Sequence, residues 1–368
     1  MTIEFTIERD ALVWTGDGET LRIEAWGANS VRVRATRNRA FQPVDWALLP
    51  CGAPADGEVS VTVSEDGRTA TLANGEIVVK AESTHSPLLS AGYETFRCDL
   101  SFWNAKGELL FREHSQGGSL LLKARDYAPV SGESFAVTAS FSADPKERLY
   151  GMGEYQQDVL DLKGCTFELA HRNSQASVPF VVSSKGYGFL WHNPAIGRAT
   201  FGRNRTEWAA QSTDQIDYWV TAGGTYAQIE AQYADATGHA PAMPEWGMGF
   251  WQCKLRYWNQ EQLLDVAREF KRREIPLDLI VIDFFHWPHL GDYKFEDEFW
   301  PDPEAMVAEL DAMGVKLMVS VWPQVSTASE NFVEMKRNNY LVSAEAGLNL
   351  DMMFEEPCVN YDPTNPGA

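Results

Sequence analysis

The sequence is poor in cysteine and has no long run of apolar residues. Its cysteines are odd in number, scattered and never spaced as C-x-x-C: Cys51, Cys98, Cys165, Cys253 and Cys358. This pattern gives no support for a disulfide framework or a zinc site, and it favours reduced thiols in a cytoplasm. No apolar segment is long enough to span a membrane, and the opening residues, MTIEFTIERDALVW, lack the apolar core of a signal peptide. We therefore expect a cytoplasmic protein without a metal.

Basic residues are also scarce. Lysine and arginine together number 31, against 52 aspartates and glutamates, which gives a formal net charge of −21. A nucleic-acid partner requires clustered cations that replace the counterions of the phosphate backbone, so we expect no such partner. The sequence leaves the oligomeric state open, with a homo-oligomer among the alternatives.

Short strands and tight turns fill the sequence up to about residue 240. In EVSVTVSEDGRTATLANGEIVVKAE, Val59, Val61 and Val63 alternate with other residues, and an Asp-Gly and an Asn-Gly pair mark hairpin turns. No long amphipathic helix appears before TYAQIEAQYADATGHAP, which we predict to be a linking helix. We therefore predict an antiparallel β-sandwich over residues 1–240.

The pattern changes after PAMPEW, at residues 241–246. Three apolar segments, GMGFWQ, LDLIVIDFF and VKLMVSVWP, are predicted strands, and the segments after them, NQEQLLDVAREFKRREI, PDPEAMVAELDAMG and SENFVEMKRNN, are predicted helices. Apolar strands that are each followed by a helix form parallel sheets. The two candidates are an open doubly wound sheet and a closed eight-stranded barrel. No G-x-G-x-x-G follows the first strand, which counts against a nucleotide-binding sheet, and we expect no cofactor.

Residues 241–368 supply about three strand–helix units. A complete barrel takes about 250 residues. We therefore predict the first part of a (β/α)8 barrel over 241–368, in a chain that stops partway through the fold. Such a piece leaves sheet edges unpaired unless further chain completes it.

Three side chains fall where we place the carboxyl ends of these strands, which is where barrel enzymes bind their ligands. They are Trp251, Asp283 and Trp322. A carboxylate between large rings suits a sugar, because the carboxylate accepts hydrogen bonds from hydroxyls while the rings form an apolar wall. Two alternatives stay open. In the first, a buried lysine or arginine neutralises Asp283. In the second, Trp251 is a core residue and does not contact the ligand.

Two histidines, His286 and His289, flank Trp287 and Pro288 in the loop after the second strand. Because no cysteine or further acidic ligand stands at metal spacing, we predict no metal site. His286 either contacts sugar hydroxyls or faces solvent, and the sequence does not decide between these alternatives.

Two long blocks resemble the barrel start of family 31 of the glycoside hydrolases: PEWGMGFWQCKLRYWNQEQLLDVAREFKRREIPLDLIVIDFFHW and GDYKFEDEFWPDPEAMVAELDAMGVKLMVSVWPQV. Upstream, LYGMGEYQQ and SVPFVVSSKGYGFLWHNP look like that family's N-terminal sandwich, which is galactose-mutarotase-like. The resemblance is closest to the bacterial α-xylosidase and α-glucosidase branch, and it covers the N-terminal part of the family's length. It implies a retaining, exo-acting α-glycosidase whose partner is an oligosaccharide or glycoside.

The resemblance also implies which residues bind the sugar. The aspartate matching Asp283 holds distal hydroxyls in the −1 subsite, the next two positions border the sugar, and the tryptophan matching Trp322 lines the same pocket. The predicted substrate-binding residues are Asp283, Phe284, Phe285, Trp322, Trp251, Trp287 and His286. Many α-glucosidases of the family have a second aspartate where this chain has Phe285. A hydrophobic residue there is compatible with xylose, which lacks the 6-hydroxymethyl group.

No catalytic residue is predicted in this chain. The family's nucleophile lies in a W-x-D-x-x-E-P block at the end of the fourth strand, and LNLDMMFEEP does not match it, because no tryptophan stands two residues before Asp351 and Glu355 follows at the wrong distance. We therefore interpret 344–359 as a variable loop. The nucleophile and the general acid are expected after Ala368, and the fragment alone is expected to be inactive.

Several functions are compatible with the sequence. An α-xylosidase is the leading hypothesis, followed by an α-glucosidase or α-transglucosylase of the same family. A non-catalytic, carbohydrate-binding sandwich is an alternative from another class, but it requires no parallel αβ segment. A mutarotase or epimerase would need a paired histidine and glutamate on sandwich strands, and the seven histidines offer no convincing pair.

Overall fold

The computed structural model describes residues 5–50, 59–88, 93–115, 122–343 and 350–368. The chain divides into two compact units, Met1–Ala240 and Pro241–Ala368. Among the helices in these ranges, none is long and apolar enough to cross a membrane.

The first unit consists almost entirely of strands. In chain order they are β1 Phe5–Glu8, β2 Ala11–Gly16, β3 Glu19–Ala25, β4 Ser30–Thr36, β5 Ser60–Val63, β6 Thr69–Asn74, β7 Ile77–Leu88, β8 Tyr93–Asn104, β9 Leu109–Arg112, β10 Arg125–Ser131, β11 Ser134–Ser142, β12 Leu149–Glu154, β13 Thr166–Leu169, β14 Ala176–Ser183, β15 Tyr187–Trp191, β16 Gly197–Phe201, β17 Arg205–Thr213 and β18 Ile216–Ala222. A helix, α1, follows at Tyr226–Thr237.

These strands form three antiparallel sheets. One has the order β1-β2-β3-β4-β18-β15-β14-β12, a second β10-β11-β17-β16-β13, and a third β5-β6-β7-β8-β9. The predicted Asp-Gly and Asn-Gly turns lie in the third sheet, and Gly67 and Gly75 have φ angles of 70° and 58° there. Both values lie in the left-handed region that glycine adopts without steric cost. The prediction of an antiparallel β-sandwich is confirmed.

Aromatic rings from several strands fill the core of this sandwich. The ring of Phe189 stacks on Tyr218 at 5.0 Å and on Trp208 at 5.1 Å, and all three side chains are buried. Helix α1 packs on the sandwich through Ile229, which is fully buried, and through Tyr233, whose ring stacks on Phe180 at 4.0 Å. The predicted linking helix therefore exists, and it is part of the first unit.

Two buried arginines pair with buried carboxylates in the first unit. The Arg125 Nη1 atom donates to both carboxylate oxygens of Glu113 at 2.6 Å. Arg32 donates from Nε and Nη2 to the two oxygens of Asp217, at 3.0 and 2.7 Å. Because a buried charge is tolerated only when it is paired and hydrogen-bonded, each pair depends on both members.

The second unit contains short strands and helices in alternation. After a 3-10 turn at Glu245–Met248 they are β19 Trp251–Cys253, α2 Gln260–Arg272, β20 Leu279–Ile282, α3 Pro303–Ala312, β21 Lys316–Val319, β22 Gln324–Ser326, α4 Phe332–Arg337, β23 Met352–Phe354 and β24 Glu356–Asn360.

A parallel sheet with the order β19-β20-β21 is the centre of this unit. Helices α2 and α3 pack on one face of it, where Ile280 and Ile282 join a buried cluster with Leu263 and Leu310. Asp302 caps α3 by accepting a hydrogen bond from the backbone N–H of Ala305 at 2.9 Å. The prediction of the first part of a (β/α)8 barrel is confirmed for these three strands.

The last part of the unit departs from the prediction. The third helix, α4, is six residues long. Strands β22, β24 and β23 form a separate antiparallel sheet, and Glu355, with a φ angle of 60°, joins β23 to β24. The interpretation of 344–359 as a loop is therefore wrong for residues 352–359, whereas residues 344–349 lie outside the described ranges. The two apolar segments MMF and CV on either side of polar residues were the available signal for this hairpin.

Candidate functional site

Asp283 directly follows strand β20 on the face that the helices do not cover. Side chains alternate along a strand, so Asp283 points away from the face on which Ile280 and Ile282 contact α2 and α3. On β21, Val319 is the partner of Ile282 and packs with the helices, whereas Met318 lies on the same face as Asp283 and is exposed. This uncovered face is the one that would point into a closed barrel.

The carboxylate of Asp283 is half-buried and is not neutralised by a cation. Its Oδ1 atom accepts a hydrogen bond from the backbone N–H of Phe284 at 2.9 Å. None of the lysines and arginines in the described ranges forms an ion pair with it. The structure therefore does not contain the buried ion pair that was the alternative interpretation of this residue. A carboxylate has about four acceptor positions, so most of those on Asp283 remain available to a ligand.

His286 forms a hydrogen bond with the main chain of Asp283. Its Nδ1 atom lies 3.0 Å from the carbonyl oxygen of Asp283. Because a carbonyl only accepts, Nδ1 carries the proton and donates it. Burial lowers the pKa of His286, whose side chain is 5% exposed, so the ring is neutral at neutral pH. The alternative that His286 faces solvent is wrong, and the residue positions Asp283 through its main chain.

A continuous row of aromatic rings includes Phe284, the residue that follows Asp283 in the chain. The ring of Trp322 lies 5.2 Å from Phe284 in a stacked arrangement and 6.0 Å from Trp287. Phe284 in turn lies 4.2 Å from Phe285. Phe354, which our sequence analysis did not include, lies 4.9 Å from Trp322 on the other side. Four predicted residues therefore lie together in this row, and Phe354 of strand β23 adds a fifth ring. The four are Phe284, Phe285, Trp287 and Trp322.

Trp251 is not where the sequence analysis placed it. We predicted that it ends its strand, but it is the first residue of β19 and pairs with Leu279, the first residue of β20. Asp283 lies four residues after Leu279, directly past the end of β20, which corresponds to roughly 13 Å at 3.3 Å per residue. The strand begins later than GMGFWQ implied, so Trp251 is on the same face as the site but near the opposite end of the sheet.

The residue of β19 that lies nearest to the site is Cys253, which the sequence analysis also did not select. It pairs with Val281 and is therefore on the face that carries Asp283. Burial and the negative charge of Asp283 both raise the pKa of the Cys253 thiol, so it stays protonated at neutral pH. The thiol donates to the carbonyl oxygen of Lys254 at 3.6 Å.

A cavity of about 270 Å³ in this unit is lined by Trp287, Trp322 and His286 but by none of the other predicted residues. Val319 also lines it, and Val319 packs on the helix-facing side of the sheet. Asp283, Phe284 and Phe285 do not line this cavity, so we do not identify it with the predicted sugar subsite.

Neither a metal site nor a nucleophile can be assigned to the described residues. No group of three or more histidines, cysteines or acidic residues in those ranges is placed to hold a metal ion. Asp351 is exposed and immediately precedes β23 of the antiparallel sheet. A barrel nucleophile would instead stand at the carboxyl end of a parallel strand.

Two family models match the chain in the same order as its two units. The model "Glycosyl hydrolase 31 N-terminal galactose mutarotase-like domain" matches residues 20–198, and the model "Glycosyl hydrolases family 31 TIM-barrel domain" matches residues 240–368. A protein of Pseudescherichia vulneris, "Uncharacterized family 31 glucosidase ORF2", is 45% identical over 98% of this chain and 68% of its own length. The chain belongs to family 31 of the glycosyl hydrolases. The resemblance inferred from the sequence is thereby confirmed.

Other family 31 members are named α-xylosidases. "Alpha-xylosidase A" of Aspergillus niger is 33% identical over 95% of this chain and 48% of its own length. Among solved structures, a family 31 α-xylosidase from a soil metagenome complexed with xylose is 47% identical, with a TM-score of 0.89 over 99% of this chain and 54% of that chain. The 368 residues thus span from about half to two thirds of the length of these relatives.

Proposed function

We propose that the full-length protein is a retaining, exo-acting α-glycosidase that removes terminal α-xylosyl groups from the non-reducing end of an oligosaccharide or glycoside. Membership of family 31 supports the reaction class. The observation that carries the proposal is Asp283, a half-exposed carboxylate that follows a barrel strand and accepts a hydrogen bond from the Phe284 N–H. A row of contacting aromatic rings starts at the next residue, Phe284. Such a group accepts charge-assisted hydrogen bonds from sugar hydroxyls while the rings contact the sugar's C–H faces.

The proposed chemistry is a double displacement. One carboxylate attacks the anomeric carbon and forms a glycosyl-enzyme ester, while a second carboxyl group about 5–5.5 Å away protonates the departing oxygen and then activates water. We place both groups outside these 368 residues, because the relatives are longer and Asp351 immediately precedes a strand of the antiparallel sheet. In this scheme Asp283 fixes the orientation of the sugar, so that the anomeric carbon meets the nucleophile in line.

We propose that the enzyme prefers xylose over glucose because Phe285 borders the sugar. A phenyl ring beside the sugar leaves less room for an exocyclic CH₂OH group than a carboxylate that hydrogen-bonds it. Recognition by shape alone is worth about 1–3 kcal/mol, or roughly 10- to 200-fold in kcat/KM. The α-xylosidases among the relatives support this preference, whereas the relative at 45% identity is named a glucosidase. An α-glucosidase or α-transglucosylase is therefore the second candidate.

The proposal is tested with the full-length protein on p-nitrophenyl α-xyloside and p-nitrophenyl α-glucoside. We expect hydrolysis of the xyloside with a kcat/KM at least about tenfold above that of the glucoside, and an α-configured sugar as the first product seen by NMR. Hydrolysis that favours the glucoside would select the second candidate. Inactivity on both substrates would reject the α-glycosidase assignment, and a β-configured first product would reject retention.

The 368-residue chain on its own provides the matched control. Because both reacting carboxyl groups are placed elsewhere, it should release no p-nitrophenol from either glycoside. Turnover by this chain would show that our placement of the nucleophile is wrong. A cytoplasmic location and a homo-oligomeric state remain predictions.

A further inference from the structure

Phe285 has an unusual main-chain conformation for a bulky residue. Its φ angle is 66°, in the left-handed region where a Cβ atom is crowded by the adjacent carbonyl group. A residue stays in this region only when its surroundings hold it there. The position matters because Phe285 follows Asp283 by two residues and is one of the rings proposed to border the sugar.

Arg256, from the loop after β19, contacts Phe285, whose ring also lies 4.2 Å from Phe284 and 6.5 Å from Trp287. Its guanidinium carbon lies 4.8 Å from the centre of the Phe285 ring and 3.9 Å from that of Trp258. Its Nη2 atom also donates a hydrogen bond to the carbonyl oxygen of Phe285 at 3.4 Å. One side chain therefore contacts both the ring and the main chain of the left-handed residue.

The surroundings of Arg256 are not those of a structural ion pair. No carboxylate in the described part of the chain lies within salt-bridge distance of it, although the protein has 52 acidic residues. Its Nε atom is buried and has no hydrogen-bond partner among the described residues. The guanidinium of Arg256 thus interacts with two aromatic faces and with the carbonyl oxygen of Phe285.

We propose that Arg256 is a positioning residue that holds Phe285 in its left-handed conformation and so sets the size of the sugar that the subsite accepts. This inference rests on the proposed function for its effect on substrate choice, but not for its effect on the conformation of residue 285. An arginine is required, because a planar guanidinium stacks on two rings and donates to a carbonyl at the same time, whereas a lysine ammonium does not.

The kinetic test uses Arg256→Met and Arg256→Lys in the full-length protein. Lys254→Met is the matched control, since Lys254 is in the same loop and lies over a different ring, Tyr257, at 5.9 Å. For Arg256→Met we expect the ratio of kcat/KM between xyloside and glucoside to change about 3- to 30-fold, the range that cation–π contacts cover from exposed to desolvated sites. Arg256→Lys should be intermediate, and Lys254→Met should keep the wild-type ratio.

A double-mutant cycle with Phe285→Ala separates positioning from a general loss of structure. If Arg256 acts through the phenyl ring, then Arg256→Met should change the ratio less than about twofold in the Phe285→Ala background. An equal change in both backgrounds would overturn the proposal. So would an Arg256→Lys variant that cannot be distinguished from the wild type.

A crystal structure of Arg256→Met tests the inference independently of the reaction. We expect residue 285 to leave the left-handed region or its ring to move from the position beside Phe284. An unchanged φ angle and ring position would overturn the proposal even if the enzyme is active. If the wild type hydrolyses neither glycoside, the proposed function fails, and this structure still decides whether Arg256 holds Phe285.

Discussion

Replacing Asp283 by alanine should abolish most activity and leave the fold intact. In the proposed complex the carboxylate accepts about two hydrogen bonds from distal hydroxyls, each worth roughly 1.5–3 kcal/mol because the acceptor is charged. Their loss amounts to about 3–6 kcal/mol. Since about 1.4 kcal/mol corresponds to a factor of ten, kcat/KM of the full-length protein should fall roughly 10²- to 10⁴-fold. The loss should appear mainly in kcat if these contacts strengthen in the transition state.

The stability cost of the same substitution should be small. In the structure the Asp283 carboxylate accepts from the Phe284 N–H, and the side chain is only half-buried. One such hydrogen bond contributes about 1 kcal/mol, which corresponds to a decrease in Tm of no more than about 4 °C. A larger decrease would show that Asp283 serves the fold rather than the ligand.

Two further variants make the Asp283 test specific. Asp283→Asn keeps an acceptor oxygen but not the charge, so its kcat/KM should lie between those of the wild type and Asp283→Ala. Glu298→Ala removes an exposed carboxylate from the connection between β20 and α3 and should keep wild-type kinetics. Both activities are measured as initial rates on the preferred p-nitrophenyl glycoside. If Asp283→Ala retains kcat/KM within about threefold of wild type, less than the contribution of a single charged hydrogen bond, the proposed role is refuted.

Three other predictions concern stability, and urea unfolding of the full-length protein measures each. Arg125→Met leaves both Glu113 and Glu19 without their cation and should cost about 3–5 kcal/mol. Adding Glu113→Leu should recover part of that loss, because Glu19 stays unpaired; no recovery would contradict the ion-pair argument. Burial lowers the pKa of His192 to about 4, so the unfolded chain binds a proton more readily below pH 6.5. The contribution of His192 to the free energy of unfolding should therefore fall by about 2 kcal/mol between pH 7 and pH 5, so that the change over this range differs by about that amount between the wild type and His192→Asn. Trp322→Leu removes three aromatic contacts at 4.9 to 6.0 Å and should cost about 1.5–4.5 kcal/mol.

Much of the fold could be predicted because local patterns and burial agree. Alternating polar and apolar residues in the first unit favour a sandwich. Apolar strands followed by amphipathic helices in the second unit favour a parallel sheet. The ends of elements were less predictable. GMGFWQ has six residues of strand character, yet the strand starts at Trp251, because pairing with Leu279 rather than local propensity sets its first residue.

The site was predictable where a residue's position follows from its own strand. Asp283 and Phe284 follow a buried strand directly, so their location at its end could be inferred. Phe354 and Arg256 reach the same aromatic row from a hairpin and a loop, and no periodicity connects them to it. The left-handed conformation of Phe285 could not be predicted either, since a phenylalanine gives no local signal for a positive φ angle.

The orientation of Asp283 is determined by the burial of its neighbours rather than by its own interactions. Ile280 and Ile282 are fully buried against the helices, and the period of two along a strand then places Val281 and Asp283 on the opposite face. A shift of the register by one residue would expose both isoleucines and bury the unpaired carboxylate, and each change is unfavourable. The apolar packing that stabilises the sheet therefore also directs the candidate ligand-binding carboxylate to the uncovered face. For this reason, we attribute the presence of one charged residue in an otherwise apolar segment to the ligand and not to the fold.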